Sequence, residues 1–393
     1  MKVLWLTSWY PNRLDAANGD FIQRHAKAVS LFCDVHVIHL EPDKNDTLTA
    51  ATEVSIYQEG SLTEEIVLYK LCGMPVIGRL LSYMRYIARF KKHIRAYLQQ
   101  HGPPVLVHVH VPMKAGILAM WLKRKYGVPY VVTEHWAIYN DYAPDAFEKK
   151  SLVFKNFTRK ILKEAAMFLP VSDDLGKAVI RMAIKVPYIV VPNVADTTLF
   201  NYETMHQRPF TFFHASTLGY QKNPGAILRA FKKFLRVNPQ SRLVMAGYAG
   251  EWPGYANELG IPARNVEFTG FIPYVQVAML MKQADVLVMF SRYENLPCVI
   301  IEALCCGLPV ISSNVGGISE IVNQSNGMLV PAGNEDTLLQ ALIQMYMNRQ
   351  QYNRAYIAQN AAALYAYSVI GQQVAGIYQS VIDKNITLVG NKH

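Results

Sequence analysis

Short apolar runs recur along this chain, separated by longer stretches in which apolar positions return every three or four residues. The runs fall at residues 3–7, 35–40, 105–110, 130–133, 168–171 and 188–191, then at 211–214, 242–246, 286–290, 310–312 and 328–330. They lack polar alternation, which predicts strands covered on both faces. Helical spacing fits residues 20–32, 79–98, 115–126, 224–237 and 297–306. Buried strands separated by helices predict an α/β protein built on doubly wound parallel sheets. Two segments, Gly127-Val-Pro-Tyr-Val-Val-Thr133 and Gly307-Leu-Pro-Val-Ile-Ser-Ser313, share one design. In each, glycine closes a helix, proline blocks its continuation and a buried strand follows. This repetition predicts two sheets of similar construction, with residues 1–190 in one domain and 191–367 in the other. Open α/β sheets bind ligands outside the carboxyl ends of their strands, so two such domains would share one cleft.

Composition sharpens this picture. The 393 residues are 51% hydrophobic and 17% charged, which excludes a disordered chain or a coiled coil. The net charge of +10 is uneven: residues 1–195 carry 25 Lys/Arg against 17 Asp/Glu, while residues 196–393 carry 14 against 12. Residues 66–133 hold eleven bases and no acid. Such a field suits an anionic lipid surface, a nucleic acid or an anionic substrate, or serves solubility alone. No apolar run is long enough to span a membrane, and the N-terminal segment reads as a first strand rather than a secretory signal. Cys33, Cys72, Cys298, Cys305 and Cys306 lack metal-type spacing and are expected as reduced core residues of a cytoplasmic protein.

The densest chemical signal is the segment from Ser291 to Val310. Glu294 follows a buried strand and precedes Pro297, so it belongs to a loop at a strand's carboxyl end. Glu302 lies within Val299, Ile300, Ile301, Ala303 and Leu304, where an unpaired carboxylate is costly. A sugar diol would satisfy it, and so would an internal ion pair. His108 and His110 share one strand face but lack a third ligand at suitable spacing, so no metal site is expected. No nucleophile elbow and no Walker loop occur.

The Glu294…Glu302 spacing resembles the paired-glutamate signature of family 4 glycosyltransferases, retaining enzymes of the GT-B fold. The resemblance runs through nearly the whole chain. Ser8-Trp-Tyr-Pro and Asn18-Gly-Asp-Phe…His25 are similar to the family's first strand, loop and helix. Thr133-Glu-His-Trp136 resembles its active-site histidine segment, and Pro192-Asn-Val-Ala-Asp196 its interdomain turn. Lys222-Asn-Pro and Gly316-Gly-Ile-Ser-Glu320 are similar to two later elements. One departure stands out: Thr217 occupies the place where the family commonly has an arginine that grips the donor diphosphate with the lysine.

The resemblance implies a GT-B architecture of two Rossmann-like domains, with the last helix, about residues 368–393, packing back on the first domain. It implies transfer of a sugar from a nucleotide-diphosphate donor to an acceptor on the N-terminal domain, with retention and no enzyme nucleophile, in polysaccharide or glycolipid assembly. His135, Glu294 and Lys222 would be catalytic; Gly19, Thr217, Asn295, Leu296, Pro297 and Glu302 would bind donor. No cofactor and no metal is expected. The partners would be a nucleotide sugar and a sugar or lipid-linked acceptor, not a nucleic acid. The basic stretch from Arg79 to Leu98, rich in Tyr and Phe, would meet an anionic membrane surface, pack on its sheet, or do both. The rival readings are a GT-B nucleotide-sugar epimerase and a non-catalytic basic module for lipid or polysaccharide.

Overall fold

The structure is a computed structural model that describes residues 1–71, 78–182, 184–204 and 208–390, without the side chains of 78–80 and 386–390. Cys72 lies outside the described residues. The expected α/β architecture is present as two sheets.

The first sheet contains β1 (Lys2–Thr7), β2 (Asp34–Asp43), β3 (Thr52–Glu59), β4 (Leu62–Lys70), β5 (Leu106–His110), β6 (Tyr130–Glu134) and β7 (Met167–Pro170). Its order is β3-β4-β2-β1-β5-β6-β7, parallel except for the β3–β4 hairpin. The second contains β8 (Thr211–Ala215), β9 (Arg242–Ala246), β10 (Val266–Gly270), β11 (Val286–Met289), β12 (Val310–Ser313) and β13 (Gly327–Val330). Its order is β10-β9-β8-β11-β12-β13, parallel throughout.

Helices cover both sheets: α1 (Asp20–Ser30), α2 (Gly78–His101), α3 (Ala115–Tyr126), α4 (Leu152–Glu164) and α5 (Asp173–Arg181) in the first half. The second half has α6 (Pro224–Phe234), α7 (Trp252–Glu258), α8 (Tyr274–Lys282), α9 (Cys298–Cys305), α10 (Glu335–Met347), α11 (Arg354–Tyr365) and α12 (Tyr367–Gly390).

Three expectations are corrected. The segment 188–191 forms a single bridge, Phe168 to Tyr188, instead of a strand. Pro187 and Pro192 bound it, and neither has an N–H to extend a ladder. The strands β3, β4 and β10 were not anticipated; the edges β3 and β10 are mostly exposed or half-buried and so carry no continuous apolar run, while the polar Thr63, Glu64 and Glu65 interrupt β4 after Leu62. Cys298 is half-buried, although Cys33, Cys305 and Cys306 are in the core.

The helix α12 crosses back from the second half and packs with α1 against the first sheet, Ile370, Val374 and Ile377 joining Ile22, Ala26 and Val29. Contact is close enough that a Cβ on Gly371 would lie 2.0 Å from the Ala28 carbonyl oxygen. The Tyr378 hydroxyl lies 2.5 Å from His108 Nδ1, whose Nε2 is 2.8 Å from Thr133 Oγ1. On the opposite face, α2 buries Tyr86, Phe90, Ile94 and Tyr97 at helical spacing against the same sheet. The packing role of the basic helix is therefore real.

Candidate active site

The carboxyl end of β6 delivers Glu134 and then His135 to the cleft. Glu134 is buried and its Oε1 accepts the backbone N–H of His135 at 2.8 Å and of Trp136 at 2.9 Å. Its Oε2 accepts the Tyr139 hydroxyl at 3.1 Å. Those bonds turn the chain sharply and fix the backbone that carries His135. Burial pushes the Glu134 carboxyl up to about 7, against the donors that favour its ionised form.

His135 itself is half-buried. Its Nε2 lies 3.4 Å from His110 Nδ1, and Phe21 sits 4.6 Å away ring to ring. His25 and His108 complete a close-packed set of imidazoles beside Trp5. Desolvation pulls the proton affinity of His135, His110 and His108 well below the ordinary range, and that of His25 to about 4. This wall presents neutral imidazoles.

The facing wall is charged. Glu294, in the loop after β11, is buried and accepts Lys222 Nζ on Oε1 and Gln221 Nε2 on Oε2 at 3.2 Å. Lys222 ends a short turn before α6, whose start uses the left-handed Asn223 and then Pro224. The loop is clamped from behind. A Cβ on Gly316 would lie 2.1 Å from the Glu294 carbonyl oxygen, and the Gly317 N–H donates to the Asn295 carbonyl at 2.8 Å. Asn295 Nδ2 then donates to the His135 carbonyl at 2.9 Å, and Asn193 Nδ2 to the Leu296 carbonyl at 2.6 Å. The structure thus brings His135, Lys222, Glu294, Asn295 and Leu296 to one place, with Pro297 leading directly into α9.

Glu302 has different company from the sugar hydroxyls considered first. Its Oε1 accepts Arg24 Nη1 from α1 and the Tyr274 hydroxyl from α8. Arg24 also donates to Tyr274 and, from Nη2, to Asp20 at 3.0 Å. Internal pairing, the other option open to a carboxylate in an apolar helix, is what the structure contains. Gly19 caps α1 with φ 67°, and a Cβ there would meet Trp9 at 2.8 Å, so glycine is required. Thr217 is exposed on the loop after β8.

Reasoning along the chain missed Arg24, Tyr274 and Glu134. Only Glu134 had a local signal, as a carboxylate at the end of a largely apolar strand beside His135. Among the described residues, no group of three His, Cys, Asp or Glu is placed to hold a metal ion.

Two facing Rossmann-like α/β domains, with an imidazole wall and a charged wall meeting where their strands end, define a glycosyltransferase of the GT-B type. Residues 28–194 match the family described as "Glycosyl transferase 4-like domain", and residues 197–363 that described as "Glycosyl transferases group 1". The chain belongs to family 4 of the glycosyltransferases. It is 24% identical over 358 residues to the putative teichuronic acid biosynthesis glycosyltransferase TuaC of Bacillus subtilis, covering 87% of this chain and 88% of that protein. Among solved structures, a sucrose-phosphate synthase from Thermosynechococcus elongatus shares the fold with a TM-score of 0.78 at 18% identity, covering 98% of this chain and 100% of that one. HepE of Anabaena, solved with UDP, does so with a TM-score of 0.73 at 19% identity over 97% of this chain and 100% of that one.

Proposed function

We propose that the chain is a retaining glycosyltransferase that moves a sugar from a nucleoside-diphosphate donor to an acceptor held on the N-terminal wall. The observation that carries this reading is the meeting of Lys222, Glu294 and the His135 loop, bridged by Asn295. Lys222 and the amide groups around Gly19 meet the diphosphate, where negative charge develops as the bond to the sugar breaks. Glu294 faces the donor sugar, and Glu302 takes the ribose hydroxyls. His135, neutral, orients a hydroxyl and forms no covalent bond. The acceptor oxygen bonds to the anomeric carbon on the face from which the phosphate oxygen departs. The leaving diphosphate takes the acceptor's proton. This reaction requires no cofactor. HepE, solved also with UDP-glucose, supports a donor of this class.

A cavity of about 180 Å³ beside the site supports the acceptor's position. Tyr139, Asn140, Tyr142, Asp174 and Arg181 line it from the first half, and Asn295 and Gly316 from the second.

The acceptor is a sugar or a lipid-linked sugar, presented at the cytoplasmic face in polysaccharide or glycolipid assembly. A basic depression of about 440 Å³ on the outer face supports contact with anionic lipid. Lys91, Trp121, Arg124, Lys125 and Lys160 line it, and Leu81 and Met84 on α2 and Leu152 and Val153 on α4 stand exposed. No helix among the described residues is long and apolar enough to cross a membrane.

The test is incubation with UDP- and GDP-sugars, with and without candidate acceptors, and determination of the anomeric configuration by NMR. Nucleoside diphosphate released only with acceptor, with configuration kept, is expected. Release without acceptor would favour an epimerase, and an inverted product would exclude retention.

A further inference from the structure

We propose that Arg24 is the second cation of the donor site, meeting the diphosphate of a bound nucleotide in place of the arginine absent at position 217. The inference rests on the nucleoside-diphosphate donor proposed above.

Charge counting across the cleft motivates it. Lys222 is paired with Glu294, and Arg24 is shared between Glu302 and Asp20, so these five side chains together carry one net negative charge. Thr217 adds nothing positive. A diphosphate cannot settle there unless a cation leaves its carboxylate, since burying uncompensated negative charge is costly. Arg24 is the cation with a replacement waiting. A ribose has two adjacent hydroxyl donors, and Glu302 now receives two donors from Arg24 and Tyr274. Ribose binding therefore releases the guanidinium without leaving Glu302 unsatisfied.

The position of Arg24 fits the task. It stands one helical turn inside α1, the helix whose start is formed by Gly19, and it neutralises Asp20, the acid of the first turn. The helix start is thereby kept favourable to an anion. Its Nε is buried without a hydrogen-bond partner among the described residues, so this set of partners leaves the guanidinium's donors incompletely used. A guanidinium's planar fork also matches two phosphate oxygens better than an ammonium does.

The experiment measures UDP against uridine, and GDP against guanosine, by calorimetry and NMR titration. Arg24→Gln is expected to weaken diphosphate binding about 10- to 100-fold while changing nucleoside binding less than about threefold, the scale of one charge-assisted contact. Adding Thr217→Arg to that variant should restore most of the loss. Arg24→Gln combined with Glu302→Gln removes both buried charges, so the diphosphate-to-nucleoside ratio can be read without a stranded carboxylate, and that ratio should fall alike. A ratio unchanged in both variants overturns the proposal. So does tighter binding of diphosphate and nucleoside together, which would make Arg24 a latch alone. Wild-type protein that binds neither UDP nor GDP would instead overturn the donor reading itself.

Discussion

The two walls of the cleft are built on similar sheets yet handle polarity in opposite ways. On the first, His25, His108, His110 and His135 are packed ring against ring and held neutral by burial. On the second, Lys222 lies against Glu294, and Arg24 of α1 against Glu302, as opposed pairs. Neutral imidazoles can orient hydroxyl groups without attracting an anion. Paired charges can exchange partners when a phosphate arrives. The contrast distinguishes the two walls by electrostatics rather than by fold.

The largest expected effect breaks the charged wall. Lys222→Ala should lower turnover by about 100-fold or more, the cost of one donor to a developing charge. It should do so in steady-state assays with the protein still folded, and near-normal turnover would place the phosphate elsewhere.

The two glutamates sharpen the same wall. Glu294→Gln should leave nucleoside-diphosphate affinity nearly intact while the rate collapses. Glu302→Gln should weaken that affinity by about 1–3 kcal/mol. It should also lower the melting temperature, because Arg24 loses its buried counter-charge. Calorimetry beside rate measurements separates the two, and a Glu302→Gln protein that binds as tightly as wild type would remove the ribose role.

Buried imidazoles in both halves of the chain predict a pH dependence. His25, held near 4, and His214, also buried and held near 4, lie below the ordinary imidazole value of about 6.5. Between those values the unfolded chain binds protons that the folded chain does not. Their contribution to stability is therefore present above about pH 6.5 and lost as pH falls through 4. Glu134, pushed up to about 7, works in the other direction, its contribution fading as pH rises through 7. Thermal unfolding from pH 4 to 8 should show a steep acid limb. Glu134→Gln should flatten only the decline near neutrality; an unchanged profile in that variant would refute the assignment.

The smallest effect lies behind the imidazoles. Tyr378→Phe removes the α12 hydroxyl from His108 and should cost about 1 kcal/mol in chemical denaturation, with activity largely kept. No loss would mean that α12 supports this wall by apolar packing alone.

Much of this molecule is legible along the chain. The apolar runs that become β1, β5, β6, β8 and β11 predict buried parallel strands because both faces of such strands must be covered. The loop positions of Glu294 and Lys222 follow from Pro297 and Pro224, which mark helix starts. Strands such as β3 and β10 escape because an edge in water needs no apolar run.

What the sequence by itself determined is local: which segments are buried, where turns must fall, and which residues stand at strand ends facing a cleft. Only the tertiary structure decided who partners whom. Arg24 and Glu302 are 278 positions apart, and their ion pair exists because the domains face each other and α1 reaches across. The same holds for Asn295 with His135 and for Tyr378 with His108. Periodicity records each residue's exposure to water, whereas a contact between distant side chains depends on the placement of two separate elements, which no local pattern encodes.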